Sequence, residues 1–432
     1  MVRKYDRGIK MQTRPWLLLL MLVVLISARA RGQDAPASGQ SSPFSQAKFV
    51  PDISLILDCS YLMRSLPDER YGELTVPGTA IPHEDATSHR GFNLNYAEIT
   101  FYSIVDPYFE LFAVLHVSEH HLHLEEAYWL TKKLPAGLQL KAGKFLSGFG
   151  RINEQHAHYW DFADPPLILD ALFGPEGLNE VGARVSWVAP LETYLMLGGE
   201  LLMGENAASF GRTGIQSASA SFHQESVNGP GLWLGYGRTS FDFGDASLLL
   251  GASAGRGATR VDEGFSASLA GGEALSGHTL IYGGDLTVKY LIDAIRYVAL
   301  QGEFLYRSTD GTLYTNSASP VVQSSPYERR QSGFYTQAVA KLGLQWRAGI
   351  RLDMLTQNKI VEDGFRTDLP QNLPRFSAMV EFNPTEFSRV RLQYNYDRSR
   401  YALEDSHLSG KTVHELSVQV NLAIGAHGAH SF

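Results

Sequence analysis

Two short segments bring potential metal-binding side chains close together along the chain. The segment EHHLHLEE at positions 119–126 contains His121, His123 and Glu125, and alternate residues of a β-strand share one face. The segment GKFLSGFGRINEQHAHYWDF at positions 143–162 contains His156 and His158 in the same i, i+2 relation. Imidazole nitrogens and carboxylate oxygens are common ligands of zinc. These five residues are therefore the candidate metal ligands, and zinc is the candidate ion.

The same residues have a second interpretation, in which no cofactor is bound. Ligands spaced along one strand are less specific than the closed Cys and His pattern of a zinc finger, and the chain contains a single cysteine, Cys59. His156 and His158 stand beside Tyr159 and Trp160, which favours packing within a loop. The sequence leaves both interpretations open.

Motifs typical of enzymes are absent from the sequence. It contains no GxSxG, HExxH, Walker or CxxC motif, and the glycine-rich GASAGRGA at positions 251–258 does not precede a helical pattern. We therefore expect a protein that is not an enzyme. A hydrolase whose Ser, His and Asp residues come from separate loops is the alternative, because such residues need not be adjacent in sequence.

The first 50 residues resemble export and linker segments rather than part of a core. A basic stretch precedes the apolar run at Trp16–Ser27, and the small-residue pattern ARA follows at positions 28–30. This pattern predicts a signal peptide at 1–30, because the apolar run is well short of the ~20 residues of a spanning helix. A retained membrane anchor is the alternative. Residues 31–50, rich in Gly, Ser, Pro and Gln, predict a flexible leader.

The charge of the chain argues against nucleic acid as a partner. Residues 1–30 contain six Lys or Arg and one Asp, so their removal moves the formal net charge from -8 to -13. A protein that acidic lacks the basic surface that attracts a phosphate backbone.

Apolar and polar residues alternate along most of the remaining chain. In DISLILDCSYLMR at positions 52–64, the odd-numbered residues from Ile53 to Met63 are apolar, and the last such segment, LSVQVNLAI at 416–424, repeats the pattern. Strands are predicted near 52–64, 91–104, 108–118, 122–132, 137–145, 179–188, 192–203, 230–241, 246–256, 278–290, 296–307, 332–343, 345–356, 374–382, 389–398 and 416–424.

The links between these segments alternate in length. Short links such as VDPYF, VAPLET and DFGDA alternate with long links at 65–90, 146–178, 204–229, 257–277, 308–331, 357–373 and 399–412. The exception is SEHHLH, a short link at a position where the alternation predicts a long one. Short turns at one rim and long loops at the other are typical of outer-membrane barrels. We therefore predict an all-β fold: a transmembrane antiparallel β-barrel of about 16 strands over residues 51–432, in the cell outer membrane, surrounded by its lipid.

Aromatic residues flank the short links, as expected at a bilayer interface. They are Tyr108, Phe109, Trp187, Phe241, Phe243, Tyr290, Tyr297, Trp346, Phe382 and Phe387. Ordinary aromatic enrichment in strands is the alternative explanation. The chain ends on Phe432, and a terminal aromatic residue resembles the signal read by the machinery that assembles barrels in Gram-negative outer membranes.

Several segments carry a resemblance to a known family. KAGKFLSGFGRINEQHAHYWDFADPP, EGLNEVGARVSW, PDISLILDCSY and the ending GAHGAHSF resemble Gram-negative porin-like outer-membrane proteins. That family is labelled zinc-regulated outer-membrane receptor and is distantly similar to phosphate-selective porins. The resemblance covers about residues 50–432 and implies that the third outer loop, 146–178, folds inward and constricts a channel. It also implies a homotrimer. Arg151, Glu154, Asp161 and Asp164 are then the candidate constriction residues.

The later strands place many charges on the inward parity. Arg347, Arg351, Arg375, Arg389 and Arg391, together with Arg296, Arg307 and Lys341, oppose four acids: Glu303, Asp353, Glu381 and Asp397. Because rings of fixed charge set ion preference, this excess predicts a mild anion preference. A balanced ladder of ion pairs without selectivity is the alternative.

The sequence as a whole predicts passive diffusion of small hydrophilic solutes or ions through a porin-type channel. A substrate-specific or zinc-linked uptake receptor of the TonB-dependent type is the alternative function. Such receptors resemble barrels with an N-terminal plug domain, and residues 31–50 before the first strand leave no room for one.

Overall fold

The computed structural model describes residues 51–79, 89–119, 121–132, 134–217, 222–266, 272–316, 322–367, 369–404 and 407–425. The predicted signal peptide, the predicted leader and Phe432 lie outside the described residues. Within the described residues, no helix has both the length and the hydropathy needed to cross a membrane.

Strands arranged as a closed antiparallel ring dominate the structure. Each strand pairs with its neighbours in sequence, and the first strand pairs with both the second and the last, so the described strands form a closed ring. The prediction of a 16-strand antiparallel barrel is confirmed. The strands are β1 (Asp52–Arg64), β2 (Gly91–Ile104), β3 (Phe109–Val117), β4 (Leu122–Thr131), β5 (Leu138–Leu146), β6 (Asn179–Val188), β7 (Leu195–Leu202), β8 (Leu232–Phe243), β9 (Ala246–Glu263), β10 (Glu273–Leu291), β11 (Tyr297–Thr315), β12 (Gln323–Lys341), β13 (Trp346–Glu362), β14 (Leu373–Thr385), β15 (Ser388–Glu404) and β16 (His407–Gly425).

Alternation along the strands explains which face points outward. In β1 the apolar Ile53 and Met63 are exposed on the outer surface, whereas Ser54 and Asp58 are buried inside the ring. Large apolar side chains are likewise exposed on the outer face of the other strands, for example Leu286 of β10. A strand with one apolar and one polar face is stable only if the apolar face meets an apolar medium and the polar face meets water or polar side chains.

The two rims of the barrel differ. Strand pairing brings Asp52 opposite Tyr102 and Ser54 opposite Gly425, so β1 begins and β16 ends at the rim of the short turns. Exposed aromatic residues stand at or near these short turns, including Tyr108, Phe243, Tyr290, Trp346 and Phe387.

At the other rim several strands are longer than the sequence pattern predicts. Much of the predicted links 257–277, 308–331, 357–373 and 399–412 is strand, for example in β9, which continues to Glu263, and β11, which continues to Thr315. Those predicted boundaries were wrong for a physical reason. Beyond the apolar band both faces of a hairpin can be polar, so alternation stops although the backbone ladder continues. Two short hydrogen-bonded segments, Ile215–Gln216 with His223–Gln224 and Phe365–Thr367 with β13, lie within the outer connections.

The connection between β5 and β6, residues 147–178, is the third loop. It carries the helix α2 (Leu167–Phe173) and a 3₁₀ turn at Ala157–Tyr159, whereas a shorter helix, α1 (Asp68–Gly72), lies in the first outer connection. Leu167, Ile168 and Leu172 of α2 are at most 1% exposed and pack in an apolar cluster with inward side chains of the strands. The third loop therefore folds into the barrel, and its apolar helix, which the alternation pattern did not predict, anchors it there. Members of the cluster include Val76, Phe145, Phe149, Phe210, Leu232, Ile281, Leu305, Tyr335, Leu355 and Leu373.

Candidate functional site

The third loop leaves the wall where two strands separate early. β5 pairs with β6 along its full length but with β4 only over Lys141–Lys144. Gly143 lies in this short ladder with φ +137°, and Gly150 follows in the loop with φ +71°. Glycine tolerates positive φ because it has no Cβ, so both positions allow the backbone to turn inward.

The middle of the third loop contacts a group of arginines on the inner wall. Asp161 pairs with Arg347, and Asp164 accepts hydrogen bonds from Arg351 Nη2 at 2.9 Å and lies 2.9 Å from Arg375 Nη1. Arg391 donates to the backbone carbonyl of Trp160 at 2.8 Å in the same stretch. The predicted constriction acids and the predicted lumen arginines are therefore in direct contact.

The Asp164 carboxyl remains ionised inside the barrel. Burial alone would raise its pKa, but Arg375, Arg351 and a hydrogen bond from Gln393 outweigh burial and lower the pKa to about 2. Because a buried charge without a partner is costly, these contacts determine where this part of the loop can lie.

Carboxylates of the wall share the same arginines. Asp353 lies 2.9 Å from Arg351 and 3.3 Å from Arg375, and Glu381 lies 2.9 Å from Arg391 and 3.1 Å from Arg347. The fifth predicted arginine, Arg389, donates to Asn421 at 2.8 Å and stands 3.9 Å from Glu381. Five arginines thus face four carboxylates, counting Asp161 and Asp164 of the loop, and much of the predicted charge excess is compensated.

Glu154 joins the loop to another part of the wall. Its carboxylate lies 2.6 Å from Arg184 of β6 and 2.7 Å from Arg238 of β8. Burial opposes ionisation, but the two arginines lower the pKa of Glu154 to about 2. Arg184 and Arg238 were not predicted from the sequence as partners of Glu154, although the inward parity of β6 was an available signal for Arg184.

Arg151 differs from the other three constriction candidates. Its backbone N–H donates to Glu303 Oε1 at 3.2 Å, whereas its side-chain Nε is buried and has no hydrogen-bond partner among the described residues. Within the same residues no carboxylate lies within 4.0 Å of its guanidinium. Arg151 is therefore the constriction candidate whose charge is not neutralised by a direct ion pair.

A second group of ionisable residues holds the loop to strands β2, β3 and β4. We name it the histidine–carboxylate cluster: Glu98, His116, Glu125, Glu126, His156 and His158. His156 Nδ1 is 3.2 Å from Glu125 and its Nε2 is 2.9 Å from Glu126, whereas His158 Nδ1 is 3.1 Å from Glu98. Burial lowers the pKa of His156, but the bonds to Glu125 and Glu126 outweigh it and raise the pKa well above the ordinary value.

The predicted metal ligands are only partly brought together. Glu125, His156 and His158 belong to the cluster. His121 lies at the end of the turn before β4, and His123 is half-exposed, with its ring 5.4 Å from that of His116 and a distant contact to Glu176 at 3.9 Å. The sequence predicts two separate groups, His121, His123 and Glu125 on one strand face and His156 with His158 in the loop. The structure brings Glu125 together with the two loop histidines, whereas His121 and His123 lie at the outer end of β4.

Three members of the cluster were missed from the sequence. Glu98 and His116 lie on β2 and β3, so no spacing along the chain connects them to the loop histidines. Glu126 follows Glu125 directly, and a register shift between Val114 and Leu115 opposite them turns both carboxylates inward. Such bulges re-aim side chains, and alternation alone cannot predict them.

Comparison with known proteins identifies a relative along nearly the whole chain. No protein-family model matches. A protein of Aquifex aeolicus (strain VF5), described as uncharacterized, is 44% identical over 415 residues, which cover 94% of this chain and 85% of that protein. The chain belongs to the family of this Aquifex protein. The name of this relative assigns no activity to the family.

Solved structures with a similar fold are outer-membrane proteins of low sequence identity. A loop-deletion mutant of OmpT, an outer membrane protein of Vibrio cholerae, has a TM-score of 0.48 and 10% identity, covering 87% of this chain and 100% of that one. The outer membrane channel DcaP of Acinetobacter baumannii has a TM-score of 0.48 and 9% identity over 87% and 98% of the two chains. OprB of Pseudomonas putida has a TM-score of 0.46 and 9% identity over 87% and 94%.

Proposed function

We propose that this protein is an outer-membrane channel for passive diffusion of small hydrophilic solutes or ions, and not an enzyme. One observation carries the proposal: a closed ring of strands exposes large apolar side chains outward while polar and charged side chains point inward. In a bilayer the closed ring pairs the backbone groups of neighbouring strands, and the polar interior replaces the hydration of a passing solute.

The third loop supplies the constriction in this proposal. Its docked position supports this role, since Glu154, Asp161 and Asp164 are tied to arginines on the inner wall. Ion pairs on several strands hold the loop across the lumen, so solutes would pass beside it rather than displace it.

A mild anion preference is part of the proposal. Five wall arginines face four carboxylates, and Arg151 adds a cation without a direct ion pair among the described residues. Fixed charge of one sign at the narrowest level favours ions of the other sign.

Planar-bilayer recording of the detergent-purified protein tests the proposal. We expect discrete conductance steps that rise in proportion to salt, with a reversal potential of anion-selective sign in a KCl gradient. The Arg151→Gln variant is expected to shift that potential toward cations, and Arg256→Gln, on the outward parity of β9, is the matched control. An absence of steps at any voltage would refute the channel, and cation preference of the wild type would refute the anion bias alone.

The predicted export and assembly features complete the proposal. In this proposal, residues 1–30 are cleaved during export and the barrel assembly machinery recognises Phe432. The inserted barrels then associate into a homotrimer. N-terminal sequencing of the protein from outer-membrane fractions and its native mass in detergent test these points. A retained N-terminus or a monomeric mass would contradict them.

The histidine–carboxylate cluster favours a second candidate, a substrate-specific or zinc-linked uptake receptor. Six ionisable side chains gathered at the loop provide what a saturable cation site needs. Zinc uptake by cells that express the protein would then saturate and would stop when the inner membrane is de-energised. Uptake that is linear in zinc concentration and indifferent to de-energisation supports the passive channel instead.

A further inference from the structure

Three donor atoms of the histidine–carboxylate cluster, one each from Glu98, Glu125 and His156, lie within 4.8 Å of one another, and His116 Nε2 lies beside the two carboxylates. His116 Nε2 lies 2.8 Å from Glu125 Oε2 and 3.4 Å from Glu98 Oε2, and His156 Nδ1 lies 3.2 Å and 3.8 Å from the same two oxygens. Zinc bonds of about 2.0–2.2 Å in a tetrahedron place neighbouring donor atoms about 3.4 Å apart. The observed histidine–carboxylate separations lie on both sides of this value, so one ion could contact Glu98, Glu125 and His156 after small side-chain shifts, with His116 next to the two carboxylates.

A second layer of contacts orients these donors. The other ring nitrogen of His156, Nε2, is 2.9 Å from Glu126 Oε2, and Glu126 in turn accepts the backbone N–H of Leu146 at 2.8 Å. A histidine that binds a metal usually donates its other ring N–H to a carboxylate, which fixes the tautomer and leaves the first nitrogen free for the ion. On the far side, His158 Nδ1 lies 3.1 Å from Glu98 and limits the movement of that carboxylate.

The three carboxylates of the cluster also need nearby positive charge. Glu98 and Glu126 are at most 4% exposed, and Glu125 is largely buried. Within the described residues, the side-chain cations at ion-pair distance from these three carboxylates are imidazoles, whereas Glu154, Asp164 and Glu381 elsewhere in the lumen have arginines. Three buried carboxylates therefore depend on protonated histidines unless a metal ion replaces the protons.

We infer that Glu98, Glu125 and His156, with His116 as the fourth ligand, form a site for a divalent transition-metal ion such as Zn²⁺. Imidazole ligands favour zinc or its neighbours over Ca²⁺ and Mg²⁺, which prefer oxygen alone. Three of the ligands belong to strands β2, β3 and β4, and His156 belongs to the third loop. A bound ion would therefore join the loop to the wall.

This linkage gives the ion a role in the channel, and that part of the inference rests on the proposed function. The ion would hold the loop at the β2–β4 side, while the ion pairs of Asp161 and Asp164 hold it at the β13–β14 side. Metal occupancy would then reduce fluctuations of the constriction and set the open conductance.

Zinc binding to the EDTA-treated, detergent-purified protein tests the site without reference to conductance. We expect one saturable ZnCl₂ site per chain by titration calorimetry, and a visible absorption band of four-coordinate Co²⁺ when CoCl₂ is used instead. His156→Gln and Glu98→Gln should abolish both signals, whereas Glu126→Gln should weaken zinc affinity by ~10–100-fold, because it removes only the orienting partner.

The control is His278→Gln, an exposed histidine of β10 outside the cluster, which should bind zinc like the wild type. Circular dichroism and heat-modifiable migration on gels confirm that each variant is a folded barrel. Absence of saturable binding in the wild type, retention of it in His156→Gln, or equal loss in His278→Gln overturns the site.

Conductance separates this inference from the proposed function. If zinc binds as expected but no current steps occur, the channel proposal fails and the site stands. If current steps occur without zinc binding, the site fails and the channel stands. If zinc binds and current steps also occur, ZnCl₂ should reduce the noise of the open-channel current of the wild type and leave that of His156→Gln unchanged.

Discussion

Individual ion pairs fix the position of the third loop together with the packing of α2. Glu154 contacts Arg184 and Arg238, and Asp164 contacts Arg351 and Arg375. Each carboxylate therefore serves two arginines from two strands. Loss of Asp164 leaves Arg351 and Arg375 to share Asp353 in a poorly solvated interior, which costs more than an exposed ion pair would contribute.

The Asp164→Asn variant tests this at one residue. We expect the barrel to lose ~1.5–3 kcal/mol, because charge-assisted hydrogen bonds to buried groups are removed. Urea unfolding from detergent or liposomes measures the change, and protease cleavage within 147–178 should become faster. Asp293→Asn is the control, since Asp293 pairs with Arg296 in an exposed turn. Equal stability of the two variants would contradict the role of Asp164.

The docking of the loop should depend on pH in one direction. Glu154 and Asp164 have a pKa of about 2 in the docked loop, whereas free carboxyls titrate near ~4. Their contribution is therefore fully present above pH ~5 and is lost as the pH falls through about 2. Fluorescence of Trp160, taken as the difference from a Trp160→Phe variant, reports the loop position. A transition between pH 5 and 8 that persists in Glu154→Gln and Asp164→Asn would show that other groups control docking.

At the scale of elements, the separation of β4 from β5 lets the loop enter the barrel. The two strands pair over only four residues of each strand. At Gly143, within this ladder, an added Cβ would overlap the carbonyl oxygen of Ala127 and approach Tyr128 Cα to 2.7 Å. The glycine therefore permits both the close pairing and the positive φ at this junction.

Substitution of Gly143 by Ala tests the junction. Strain at positive φ alone costs ~1–2 kcal/mol, and the overlap with Ala127 adds to it. We expect a lower urea midpoint and weaker protection of the 141–144 amides in hydrogen exchange. Gly235→Ala is the matched control, because its added Cβ would meet no atom closer than 3.9 Å. If Gly143→Ala is as stable as this control, the junction does not need glycine.

The whole molecule is defined by two faces with different solvents. The outer face is apolar around the ring, and the inner face carries the ion pairs and the third loop. Closure of β1 on both β2 and β16 joins the described strands into one ring, so neither the first nor the last strand presents a free edge.

Arginine substitutions at two depths test whether the outer face meets lipid. Leu286 lies on β10 five residues from the short-turn end, whereas Leu403 lies near the far end of β15 and is 74% exposed. Leu286→Arg should cost ~2–4 kcal/mol and Leu403→Arg ~0–1 kcal/mol, measured by reversible unfolding from liposomes. Equal effects at the two positions would mean that the outer face does not span a bilayer.

The sequence by itself determined the barrel. Alternation has a period of two and depends only on neighbouring residues, so β1, β2 and β6 were predicted closely, together with the inward parity of Arg351 and Arg391. The outer hairpin ends were missed because the chemical contrast between the two faces disappears outside the apolar band.

Only the tertiary structure decided the site. The proposed ligands Glu98, His116, Glu125 and His156 come from three strands and a loop. The arginines that hold Asp164 lie almost 190 residues or more away along the chain. Such contacts depend on how the ring closes and how deeply α2 packs inside it. No local spacing encodes either, because the interactions that fix them act between residues distant in sequence.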